Sequence, residues 1–301
     1  MKHLLWLVLL LSACIPAPQQ RNLRPAGSPD VVVIGFSGRC ASLPVVGDGC
    51  NPPFDNYGYL DDEVFPRSTT PRQTAQTVVG VFRELGYSVE YFDVSAFLYA
   101  HTSGISRQQE SGYLEAEGYL KRVYDYWIRG FENPTRVVLL AHSHGTVWAS
   151  LLAWNHPAVR FDYFIYLDAI CSFWDADNMR NNRIIQDYYD ARGLRRPFPL
   201  NEDEGGGPCK VVAVPGQPAK QDLNDVVPAN IKMGLEVVSR SPVNLAPVNF
   251  IYDDDLDYRL DGSQAHIFRF RSREDHSGVT ARSSDAMQWV VAKILEIGLP
   301  K

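Results

Sequence analysis

Val137-Val138-Leu139-Leu140-Ala141-His142-Ser143-His144-Gly145-Thr146 is the stretch on which the fold turns. Its first five residues are apolar without alternation, the pattern of a strand buried on both faces. A helix over 145–155 follows at once and is halted at His156-Pro157. A strand that turns directly into a helix holds the turn residue off the sheet. Neighbouring backbone then comes very close, so the residues two positions away on either side must be small. Ala141 and Gly145 meet that demand. The turn is expected to raise the Ser143 hydroxyl above the carboxyl edge of the sheet and to aim the His144 N–H and the helix N-terminus at the same place. His142-x-His144 also reads as a metal pair, two imidazoles on one strand face, but no third ligand stands at a typical spacing.

Outward from this stretch, strands and helices alternate. Val31-Val32-Val33-Ile34 is a second buried strand, closed by Gly35-Phe36-Ser37-Gly38. Residues 39–70 are rich in Gly, Pro and Asp and read as a long loop, until Thr70-Pro71 supplies a helix cap and a first-turn proline. Ala75, Val78, Val79, Phe82 and Leu85 then recur at helical spacing up to Gly86. Strands are expected at 87–93, 161–167, 210–214, 235–239 and 266–270. Leu114, Leu120, Val123, Tyr124 and Trp127 place a helix running to Gly130, and Ala286, Met287, Val290, Val291 and Ile294 a closing one. The expected class is α/β, a mostly parallel central sheet flanked by helices on both faces. Residues 171–232, with Asp/Asn-rich turns and the break Gly205-Gly206-Gly207-Pro208, read as an insertion over the sheet.

The 301 residues suit one large α/β core, and 45% hydrophobic with 21% charged residues excludes a disordered tail or a many-span membrane protein. A net charge of −6 without a basic run argues against a nucleic-acid partner.

Residues 1–13 read as a signal peptide, with Lys2, an apolar run from Leu4 to Leu11, and Ser12-Ala13 before Cys14. Leu11-Ser12-Ala13-Cys14 resembles the lipobox of bacterial lipoproteins, which implies cleavage before Cys14, its acylation, and a lipid anchor in the cell envelope. Residues 14–29, with Pro16, Pro18, Pro25 and Pro29, would form an extended tether ahead of a domain over 30–301. Ile15 is not the aspartate that the lipoprotein family associates with inner-membrane retention, which favours the outer membrane. Ordinary secretion is the alternative. Of five cysteines, Cys40, Cys50, Cys171 and Cys209 then remain, an even number in an exported protein. Cys40–Cys50 with Cys171–Cys209 is the favoured pairing of the three, since each bridge closes one loop.

Over about residues 30–298, the Ala-His-Ser-x-Gly turn in its strand and helix setting resembles the α/β-hydrolase superfamily, and within it lipases and esterases. The resemblance implies a serine nucleophile followed in chain order by an acid and a histidine, the latter between the last strand and the last helix. Ser143 takes the first role and His276, in Arg273-Glu274-Asp275-His276-Ser277-Gly278, the last. A surface loop histidine capping the next helix is the plainer reading of His276. His266 inside a strand pattern, His156 before a proline and His101 upstream of the serine fit less well. Asp168, at a strand end similar to that of pancreatic-type lipases, is the favoured acid, with the later cluster Asp253, Asp254, Asp255 and Asp257 as the alternative. That cluster also reads as a solvated turn or a Ca²⁺ loop, although its glycine is misplaced for an EF-hand.

The oxyanion would be met by the backbone N–H of His144 and by that of Phe36 or Ser37 in the loop after the first strand. Phe173, Trp174, Met179 and Phe198 would make the insertion a lid or an acyl-binding wall, or fill a small core of its own. The implied activity is hydrolysis of an ester or lipid substrate through an acyl-enzyme, with no metal or organic cofactor called for. An acyltransferase using the same residues, or a non-catalytic envelope-binding lipoprotein on the same fold, are the alternatives.

Overall fold

A computed structural model describes residues 21–38, 60, 73–102, 108–171, 184–185, 187–193, 209, 211–218, 221–222, 224–239, 258–276 and 278–300. Its centre is a six-stranded sheet of β1 (Val31–Phe36), β2 (Val89–Val94), β3 (Arg136–His142), β4 (Phe161–Leu167), β5 (Ile231–Val238) and β6 (Ile267–Arg271). The strand order is β2-β1-β3-β4-β5-β6 and every pairing in it is parallel. Chain order reverses direction between β1 and β3, so the connections leaving their carboxyl ends run to opposite sides, and in open α/β sheets that is where ligands bind.

Among the described residues four helices cover the sheet: α1 (Thr74–Glu84), α2 (Tyr113–Val123), α3 (Gly145–Asn155) and α4 (Asp285–Ile297). Side chains alternate along each strand, so β1 sends Val32, Ile34 and Phe36 to a core shared with α2 and α3, and Val31 and Val33 to one shared with α1 and α4. Residues Gly145 to Trp154 of α3 are all buried, as befits a helix apolar on every side. No helix among the described residues is long and apolar enough to cross a membrane.

Several boundaries differ from the sequence reading. β5 begins at Ile231 rather than 235, because Lys232 interrupts the apolar run. That ammonium is nevertheless accommodated, 2.7 Å from Asp162 Oδ1 at the foot of β4. β2 begins at Val89, since the Tyr87 N–H closes the end of α1 on Phe82 O at 3.1 Å. The helix expected to reach Gly130 is α-helical only to Val123 and widens into a π turn over Tyr124–Ile128. The strand expected over 210–214 is a two-residue pairing of Val211–Val212 with Gln221–Asp222. His266 lies in a turn at φ 61° rather than inside β6. The Thr70-Pro71 cap lies outside the described residues.

Cys171 and Cys209 form a disulfide, with Cα atoms 5.7 Å apart, closing the expected second loop between β4 and β5. Cys40 and Cys50 lie outside the described residues, as do Cys14 and residues 1–13. Within 171–232, Ile185 and Tyr189 are buried in the core shared with α2 and α3. There the Tyr189 hydroxyl meets Tyr113 Oη at 3.0 Å and donates to Glu117. Glu117 also accepts from Tyr113 at 2.5 Å and pairs with His156. Burial first, then the Glu117 carboxylate beside it, pushes the Tyr113 phenol well above its ordinary range.

Candidate active site

Ser143 follows the last residue of β3 and precedes α3, with φ at +55°. A side chain in this left-handed region is strained and persists only when its surroundings hold it. Here the Ser143 N–H donates to Leu167 O at 3.1 Å, fastening the turn to the end of β4. Its carbonyl accepts from the Thr146 N–H at 3.1 Å and from Thr146 Oγ1 at 2.6 Å. Gly145 shows the steric reason for the small residue: a Cβ there would stand 2.4 Å from Ser37 O and 2.6 Å from Phe36 O. The helix thus starts directly against the backbone leaving β1.

His276 lies in the loop between β6 and α4, and its Nε2 is 3.0 Å from Ser143 Oγ. Its Nδ1 is 2.6 Å from Asp168 Oδ2. Asp168 follows the last residue of β4, beside β3, with φ at +46° and only 2% exposure. Its backbone N–H donates to Val237 O at 2.7 Å, and its Oδ1 accepts from the Ser239 N–H at 2.5 Å. Burial works to raise the Asp168 pKa, but the hydrogen bonds from His276 and Ser239 outweigh it and hold the carboxyl below its usual range. The carboxylate is therefore an acceptor only. That assigns the proton on His276 to Nδ1, and leaves Nε2 to accept from the Ser143 hydroxyl.

Of the two acid candidates, the structure brings Asp168 to the imidazole. Asp253, Asp254, Asp255 and Asp257 lie outside the described residues. His101 and His156 stand elsewhere, beside Glu110 and Glu117. His142 and His144 do not form a metal pair with a third ligand among the described residues. Instead His142 Nε2 donates to the carbonyl of His276 at 2.8 Å.

His144 caps α3 in helical geometry, so its N–H stands at the amino end of a helix beside Ser143. The loop after β1 is a correction to the sequence reading. The Ser37 N–H is committed to Val94 O at 3.0 Å. Alternation along the parallel ladder then turns the Phe36 N–H toward β3, where Phe36 is in register with Ala141 and Gly35 with Leu140. Both N–H groups thus serve the sheet, because β1 stays regular to Phe36 instead of ending at Ile34. Phe173, Trp174, Met179 and Phe198 lie outside the described residues.

No signal in the sequence pointed to the Ser239 N–H, the left-handed backbone at Asp168, or the use of His142. The first two depend on where β5 passes β4, and the third on where the β6 to α4 loop folds back.

No family model and no curated protein sequence matches this chain. Among solved structures it is similar to a metagenome-derived lipolytic enzyme at 12% identity and a TM-score of 0.42, over 91% of this chain and 98% of that one. An esterase of Pyrococcus furiosus is similar at 11% identity and a TM-score of 0.39, over 89% and 83% of the two chains. The esterase domain of a Rhodothermus marinus protein is similar at 13% identity and a TM-score of 0.37, over 91% and 88%.

Proposed function

We propose that this protein is a serine hydrolase of carboxylic esters, with Ser143 as nucleophile, His276 as general base and then acid, and Asp168 as the group that orients and stabilises the imidazole. The observation that carries the reading is one continuous line of hydrogen bonds, Ser143 Oγ to His276 Nε2 at 3.0 Å and His276 Nδ1 to Asp168 Oδ2 at 2.6 Å.

As Ser143 Oγ bonds to the ester carbonyl carbon, its proton passes to His276 Nε2, and the Asp168 carboxylate stabilises the resulting imidazolium. The carbonyl oxygen takes the negative charge and lies against the His144 N–H at the amino end of α3. His276 then returns the proton to the departing alkoxide as the carbon–oxygen bond breaks. Water, deprotonated by the same Nε2, attacks the acyl-enzyme and restores Ser143.

The same proposal puts the protein on a lipid anchor at Cys14 in the bacterial envelope, on the strength of Leu11-Ser12-Ala13-Cys14, with Ile15 after the cysteine favouring the outer membrane. A Cys14→Ala variant should leave the membrane pellet; persistence there would refute the anchor. The catalytic reading is tested by turnover of short p-nitrophenyl esters with Ser143→Ala alongside. A loss on the order of 10⁴-fold or more is expected. Equal turnover by the two proteins would end the assignment.

A further inference from the structure

We infer that His142 is a positioning residue for His276, so that two consecutive residues hold position 276 at both ends, His142 at its backbone and Ser143 at its ring. The inference rests on the hydrolase reading above and extends it to a residue with no place in the triad.

His142 is the last residue of β3 and is buried. Its Nε2 lies 2.8 Å from the His276 carbonyl oxygen. A carbonyl only accepts, so Nε2 of His142 carries the proton and donates. The two imidazoles also pack together, with ring centroids 4.7 Å apart and planes inclined by 33°. One side chain thus sets both the height of the His276 backbone above the sheet and the surface its ring rests on.

The rest of the loop shows why such a hold matters. The Ser272 N–H donates to Val238 O at 2.8 Å and the Arg273 N–H to Asp285 Oδ2 at 3.0 Å, which fastens the loop's first residues to β5 and to the start of α4. Asp275 Oδ1 accepts from the Gly278 N–H at 2.6 Å, which tightens the turn locally. These bonds attach the loop to elements other than the nucleophile strand. The bond from His142 attaches residue 276 itself to β3, one residue before Ser143. A displacement of about 1 Å at a reacting group costs on the order of 100-fold in rate. A loop fixed only to β5 and α4 would pass any shift of those elements into the Ser143 to His276 distance.

Glutamine and asparagine separate this role from mere polarity at a buried site. A glutamine amide nitrogen reaches the place of imidazole Nε2, whereas the asparagine amide stops one methylene short. The experiment measures kcat and KM of His142→Gln and His142→Asn on a p-nitrophenyl ester, beside wild type and Ser143→Ala. His142→Asn should lose about 10- to 100-fold in kcat with KM within about twofold, because substrate contacts are untouched. His142→Gln should keep kcat within about threefold of wild type, a rescue that follows from reach alone. Equal kcat in the two variants, whether high or low, overturns the inference, and so does a loss carried by KM alone. Wild-type turnover that does not depend on Ser143 refutes the hydrolase reading itself, and the inference falls with it.

Discussion

The Asp168 carboxylate and the His276 imidazole stand 2.6 Å apart across 108 residues of chain. β4 delivers the first and the loop between β6 and α4 the second. Because β4 pairs with β3 on one side and β5 on the other, two neighbouring strands hold the position of Asp168 independently of the histidine loop. The Ser239 N–H on its second oxygen leaves Oδ2 for the imidazole. Asp168→Asn should therefore cost on the order of 10⁴-fold in kcat, by favouring the wrong tautomer of His276, on protein that remains folded. Asp255→Asn, measured alongside, should remain active. A large loss in Asp255→Asn alone would move the acid to the later cluster.

The same carboxyl makes a stability prediction. Its folded pKa lies below its unfolded value, so its contribution is complete above the unfolded value of about 3.9 and is lost as pH falls through the folded one. Denaturant unfolding measured from pH 5 downward should show wild type losing stability faster than Asp168→Asn. Parallel curves for the two proteins would contradict the ionised state assigned to Asp168.

Two glycines make opposite predictions from one physical argument. A Cβ at position 145 would press into the Ser37 and Phe36 backbone, whereas at Gly80 in α1 nothing lies within 4 Å. Gly145→Ala should displace the turn, abolish turnover and destabilise the fold by several kcal/mol, beyond the usual ~1 kcal/mol. Gly80→Ala should stabilise by about 0.5–1 kcal/mol through helix propensity. Melting temperatures of both variants check the pair.

Glu117 is buried to 3% exposure, among Tyr113, Tyr189 and His156. It ties α2 and the segment after α3 to residue 189 of the region between β4 and β5. Glu117→Leu leaves two buried phenols and an imidazole without their shared acceptor, and should cost about 3 kcal/mol. A change below about 0.5 kcal/mol in chemical denaturation would show that the cluster rearranges freely.

What the sequence made legible follows from local pattern. Val137 to Ala141 is apolar without a break, so a strand buried on both faces was readable, and Ala141 and Gly145 flank Ser143 closely enough to mark the turn. The parallel sheet followed from the alternation of such strands with helical repeats. Less legible were features set by long-range placement. Lys232 hid the first residues of β5, because its partner Asp162 is 70 residues earlier and pairs with it only once β4 and β5 lie side by side. Phe36 and Ser37 looked like loop donors because Gly35 suggested an early end to β1, yet parallel neighbours on both sides carry the ladder through Phe36. The choice of Asp168 over the later aspartates rested on a family likeness, since nothing in the pattern of Leu167-Asp168-Ala169 reports the Ser239 N–H that completes its surroundings.

The central claim is that the Ser143 oxygen is the activated nucleophile. Its most direct test is a fluorophosphonate probe applied to the folded protein, with the modified residue mapped by peptide mass spectrometry. The account predicts a single phosphonylated peptide with the adduct on Ser143, and little labelling in His276→Ala, where the base is gone. An adduct on another residue, or no adduct on protein that is demonstrably folded, would contradict it.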